Sequence, residues 1–227
     1  MAIQIQGSGG VMAEVDGTTF RALRVTARPV NFGSLGSHRL GMASGIITAA
    51  LAANSELFQF RWPDATNLAL VHHIDLNASA NIAATAAVSV SIAMVIARGW
   101  TGIGTGGLRA VLTGNIGKLR TSFGTSLVSD AGIATTAALG AGTKTIDHAT
   151  NNFSEVAIGI GTGAITTTPN LSLLPENRIF DAADQGDCPI IFTQNEGFII
   201  RNGVIAWPAT MTWKLCVNVG WSEAASF

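Results

Sequence analysis

The chemistry open to this sequence starts from four histidines, His38, His72, His73 and His148, and two cysteines, Cys188 and Cys216. Only His72 and His73 are adjacent. A strand sends neighbouring side chains to opposite faces, so this pair cannot share a metal ion without a bulge. His72 falls in one alternating run with Leu68, Leu70, Ile74 and Leu76, which marks it as a core histidine with satisfied hydrogen bonds. Neither cysteine belongs to a Cys-x-x-Cys motif, so zinc and thioredoxin-like readings fail. Two free buried thiols are expected, with a disulfide left open if the two strands are neighbours.

The remaining candidates are weaker. Asp181, Asp184 and Asp187 recur every third residue. A calcium loop needs alternate positions, a glycine and a closing glutamate, so a solvated loop is the reading. Trp100–Gly107 is glycine-rich and follows a strand. It lacks the Gly-Lys-Ser/Thr ending of a phosphate loop, and Leu108–Leu112 after it has no strong helical pattern, which leaves a flexible turn. Ser126 and Ser129 have no Gly-x-Ser-x-Gly elbow. The carboxylates are scattered, and no pair falls on one face. Trp62, Trp100, Trp213 and Trp221 are read as anchors of a core or an interface, with sugar stacking as the other use of such rings. No catalytic, cofactor-binding or metal-binding residue is assigned, and no cofactor is implied.

The elements that would position these side chains are strands. From Leu57 to Trp100 three runs alternate: Phe58, Phe60 and Trp62; Leu68 to Leu76; and Val88, Val90, Ile92, Met94 and Ile96. A period of two places each set on one face of a pleated sheet. Trp62-Pro63-Asp64-Ala65 is a turn that would join the first two as a hairpin. Pro189–Thr193 and Gly197–Arg201, around Gln194-Asn195-Glu196, carry a second hairpin signature. Further strands are expected at Arg21–Arg28, Arg39–Thr48, Ile133–Leu139 and Phe153–Thr168, with a helical turn at Ala49–Asn54. Trp213, Leu215, Val217, Val219 and Trp221 form the cleanest strand. It is expected in the middle of a sheet, not at an edge. Residues 1–20 read as an arm or edge strand. Residues 21–227 read as one domain, with 113–187 as a long irregular excursion that reaches an interface.

Composition bounds the function. The chain has 227 residues, 48% of them hydrophobic and only 12% charged, with a net charge of −1. That excludes the basic footprint of a nucleic-acid binder. It favours a surface covered by neighbouring subunits, because charge is depleted at interface cores. No signal peptide is expected from the Met-Ala-Ile-Gln-Ile-Gln start. Leu76–Ala97 is uncharged, but Asn, Ser and Thr dilute it and its pattern alternates, so no membrane span is expected.

Several stretches together carry a resemblance. They are Asn54–Trp62 (Asn-Ser-Glu-Leu-Phe-Gln-Phe-Arg-Trp), Ala97-Arg98, Leu112–Asn115, Gly117–Ser122, Gly124–Ser126, Ile133–Leu139 and Gln194–Phe198. They resemble virion structural proteins of tailed bacteriophages, over about residues 35–225. The resemblance implies a capsid decoration, or cement, protein located on the virion. Such a protein binds the major capsid protein, associates with itself, with a trimer as the expected state, and has no enzymatic activity. It also implies a β-rich fold, expected here as an all-β, jelly-roll-like antiparallel sandwich. A tail, neck or fibre protein and a carbohydrate-binding module on the virion are the alternatives.

Overall fold

The computed structural model describes residues 15–16, 22–23, 35–48, 50–82, 87–109, 116–147, 150–160, 171–186 and 188–225. The chain divides into two compact units, Met1–Val30 and Asn31–Phe227. In the first, β1 (Val15–Asp16) pairs antiparallel with β2 (Ala22–Leu23). The rest of the expected Arg21–Arg28 strand and most of the 1–20 arm lie outside the described residues.

The second unit is built from β3 (Gly36–Ala43), β4 (Glu56–Trp62), β5 (Asn67–Ile82), β6 (Val88–Gly102), β7 (Leu108–Arg109), β8 (Gly117–Lys118), β9 (Asp130–Ile133), β10 (Thr143–Ile146), β11 (Ser154–Ile160), β12 (Leu171–Asp181), β13 (Ile190–Phe192), β14 (Glu196–Asn202) and β15 (Thr212–Ala225). One sheet runs β10-β6-β14-β4-β9-β7, with β11 also on β6. The other runs β12-β5-β15-β3-β8, with β13 also on β5. Eight of these strands nest. In chain order β3, β4, β5 and β6 pair with β15, β14, β12 and β11, the first with the last and so inward. A long hairpin wrapped around itself in this way is the jelly roll. As expected, the last strand is central, lying between β5 and β3.

That wrapping overturns both expected hairpins. β4 and β5 lie in different sheets, and β13 pairs with β5 while β14 pairs with β4 and β6. The tight turns themselves are present. The Asp64 carboxylate accepts the Thr66 and Asn67 amides at 2.9 and 2.8 Å, and Asn195 adopts a φ of 63°. They turn corners between sheets, because the same local chemistry serves either purpose. The stretch expected as an irregular excursion also supplies sheet strands, including β9 against β4, β11 against β6 and β12 against β5. Ala49–Asn54 forms no helix among its described residues, and the strand expected to reach Thr48 ends at Ala43.

The core fills the space between the sheets. Phe58, Phe60, Trp62, Ile92, Met94, Phe198, Leu215, Val217, Val219 and Trp221 are all buried there. Phe60 stacks on Phe198 at 5.2 Å and meets Trp221 edge-on at 5.4 Å. Each such side chain contributes about 1.5–3 kcal/mol on burial. A second apolar cluster, Val95, Ala97, Trp100, Ile103 and Ile199, lies on the other face of the β6–β14 sheet.

One strand breaks its own alternation. The pairing of β5 with β15 shifts between His73↔Gly220 and Val71↔Trp221, which leaves His72 as a bulge. Ile74 and Leu76 therefore share the main core with Ala69 and Val71, while Leu68 and Leu70 cluster with Ala224. His72 is not the core histidine that an unbroken period of two demands.

Candidate functional site

The bulge is what brings the two histidines to one face. His72 Nε2 lies 2.8 Å from Ser222 Oγ, and the His73 ring lies over Gly220, where a Cβ would collide with it. Gly220 and Ser222 alternate with the buried core residues Val219 and Trp221, so both rings sit on the outer side of the sheet. Burial lowers the pKa of each below the ordinary histidine value. For His72 the neighbouring His73 adds to this, and for His73 Asp75 opposes it while Arg39 and Arg178 add to it.

Around them is an ion-pair network. Asp75, only 2% exposed, accepts from Arg178 Nε at 3.0 Å and faces Arg39 at 3.9 Å. Arg178 also pairs with Asp181, whose carboxylate accepts the Ala183 amide at 2.9 Å. That amide bond, with Arg178 in support, holds Asp181 below the usual carboxylate range. Asp181, at the end of β12, is thus committed to the turn that follows the strand, and Asp187 lies outside the described residues, as does His148. Among the described residues no three His, Cys, Asp or Glu side chains converge on a metal position.

The Ser222–His72 contact has nucleophile–base spacing. The same hydroxyl meets Ser37 Oγ at 2.8 Å, and Ser222 is 3% exposed. The arrangement ties β3, β5 and β15 together on their outer face.

A more deeply buried cluster, which no sequence pattern marks, surrounds Glu223. Glu223 accepts from the Ser126 hydroxyl, from the Leu127 amide at 3.1 Å and from the Trp221 indole at 3.1 Å. His38 Nε2 stands 3.8 Å from the same carboxylate. Neither His38 nitrogen has a hydrogen-bond partner among the described residues. Burial lowers the His38 pKa, against the pull of Glu223 and with a small push from Lys118. Ser126 is therefore a strut for β15. No local signal marks it, since its partner lies 97 residues away in sequence.

On the other sheet, Lys144 Nζ lies 2.8 Å from Glu56 Oε1 and 4.8 Å from the Trp100 ring centroid. The Gly104 amide donates to the buried Gln59 Oε1 at 2.6 Å. A Cβ at Gly104 would overlap the Gly140 carbonyl. The glycine-rich run is thus a packing requirement between two loops.

At the open edge a cleft of about 210 Å³ lies between β6 and β13, with Val95, Ile96, Phe153, Ile190, Ile191 and Phe192 in its wall. Small-molecule sites occupy about 300–1,000 Å³, so this one is sized for a side chain or two. At its rim Arg98 pairs with Asp147 at 2.8 Å and with Glu196.

All five tryptophans, Trp62, Trp100, Trp207, Trp213 and Trp221, are at most 2% exposed. None offers a face to a sugar ring, which removes the stacking platform of the carbohydrate reading. Cys188 is exposed and Cys216 half-buried, and both are free thiols, so the expected burial fails for Cys188. Apart from Ala87, the described residues of Leu76–Ala97 are strand, and among the described residues no helix is long and apolar enough to cross a membrane. No protein-family model, no curated protein and no solved structure matches the chain.

Proposed function

We propose that the chain is a non-enzymatic structural protein of a tailed-bacteriophage virion, a decoration protein that binds the major capsid protein and reinforces the shell. The observation that carries the reading is a surface built to be covered. In a jelly roll with 12% charged residues, large apolar side chains stand exposed on loops and edges: Leu119 at 64%, Val204 at 72%, Leu108 at 52% and Phe153 at 51%. Scattered exposed apolar residues are ordinary, but combined with so few charges they leave little to keep subunits apart. The ion pairs and serine contacts described above fasten strands to one another, which suits a protein whose work is to hold a shape. The motif stretches that resemble virion proteins support the same reading, and a closed trimer would bury such surface without an open patch to propagate.

The test is genetic. Particles made without the protein should assemble but release DNA at a lower temperature or a milder osmotic shock than parental particles. Equal robustness with and without it would end the cement role.

A further inference from the structure

Lys144 is set apart from the other two lysines of the chain. Lys118 and Lys214 are exposed, whereas the Lys144 side chain is only 3% exposed. Its amine ends in an apolar place on the outer face of the sheet, 4.8 Å from the ring centroid of Trp100. Gln59 reaches the same place from β4. It is fully buried and stands in register beside Ile199, which shares a cluster with Trp100.

One carboxylate touches both nitrogens. Lys144 Nζ lies 2.8 Å from Glu56 Oε1 and 2.9 Å from Glu56 Oε2, and it also donates to the Ala141 carbonyl. Gln59 Nε2 donates to the same Glu56 Oε2 and, at 2.9 Å, to the Gly140 carbonyl. Gln59 Oε1 accepts the Gly104 amide at 2.6 Å. Acceptors around one end of the amide and a donor at the other fix which atom is oxygen. Two donors that share one oxygen stand at most about 6 Å apart.

We infer that this cluster joins Lys144 to Gln59 by an intramolecular isopeptide bond. The three parts of an acyl transfer are together. An amine is held out of water. A carbonyl oxygen already carries a backbone donor where an oxyanion would form. A carboxylate contacts both nitrogens between which protons must pass. An ion pair is complete with Lys144 and Glu56 alone, so the amide on the same oxygen is the additional part.

Glu56 takes one proton from the Lys144 ammonium. The freed Nζ lone pair bonds to Gln59 Cδ, and the C=O electron pair moves onto Oε1, held by the Gly104 amide. Glu56 hands its proton to Nε2 and takes a second from Nζ as the carbonyl re-forms and the Cδ–Nε2 bond breaks. Ammonia leaves with that second proton as ammonium, and Glu56 is a carboxylate again. No oxidation state changes and no added reagent enters. Holding the groups on one frame replaces a bimolecular encounter, so a single slow turnover suffices. The bond ties β4 to β10, which β14 and β6 separate in the sheet. It concerns the chain alone and stands or falls apart from the virion reading.

The experiment is intact-mass spectrometry of the full chain, purified in its folded state and denatured for the measurement. The parent should be lighter than its sequence requires by about 17 Da, the mass of one ammonia. A tryptic digest should contain one branched peptide that joins the segment ending at Arg61 to a segment uncleaved at Lys144. Lys144→Arg, which keeps the charge, and Gln59→Leu should each retain full mass, and Glu56→Gln should retain it through loss of the proton carrier. A parent at full mass, both fresh and after prolonged storage, overturns the inference whatever the variants do. So does a lost ammonia that maps to other residues, or a mass loss that persists in Lys144→Arg. A branched peptide formed with loss of water would place the bond at Glu56 and overturn the assignment to Gln59.

Discussion

Glu223 takes the indole N–H of Trp221, two residues before it on β15, at 3.1 Å. The pair faces inward together, and the carboxylate also holds the loop at Ser126 and Leu127 against the sheet. Glu223→Ala removes one acceptor from three donors in a site only 1% exposed. The expected loss is about 3 kcal/mol of stability, seen as a lower urea midpoint. A midpoint within error of the parent would mean that the cluster carries no weight.

Acid should weaken the fold early. His38, His72 and His73 all titrate below the ordinary 6.5, in each case chiefly because burial disfavours the charged ring. The unfolded chain then takes up protons first. The stabilisation is complete above pH 6.5 and is lost as pH falls from there toward the folded-state values. Urea midpoints should be level between pH 8 and 7 and should drop at pH 6 and 5. A midpoint that rises on acidification would contradict the burial of these rings.

The core faces are tested by Ile92→Asp and Val217→Asp, both at positions with no exposure. Each places an unpaired carboxylate between the sheets at a penalty of several kcal/mol. Neither variant should yield soluble folded protein. Ser91→Asp is informative on the other face. Its hydroxyl donates to Glu155, so the change sets two carboxylates together and should be moderately destabilising, not neutral.

Strands were legible in the sequence because a half-buried sheet imposes a period of two, and the run from Trp213 to Trp221 names both its faces and its central place. Pairing was not legible. The Asp64 turn and the Gln194–Glu196 turn look like hairpins because turn chemistry is local, whereas which sheet receives the next strand is settled by distant partners such as β14 and β15. The His72 bulge inserts one residue without changing the composition of β5, so periodicity alone places that histidine on the wrong face. Glu223 carried no signal at all, since Ser126 and His38 reach it only in the fold. The exposed loop residues Val204 and Ile205 were visible as letters, but their exposure depends on the corner they occupy.

The central claim is a position on a particle. Gold-labelled antibody against the chain, imaged on intact virions by electron microscopy, tests it most directly. Label should be distributed over the shell, and shells stripped of the protein should regain that label when it is added back. Label confined to the tail, neck or fibres, or absent from virions altogether, would contradict it.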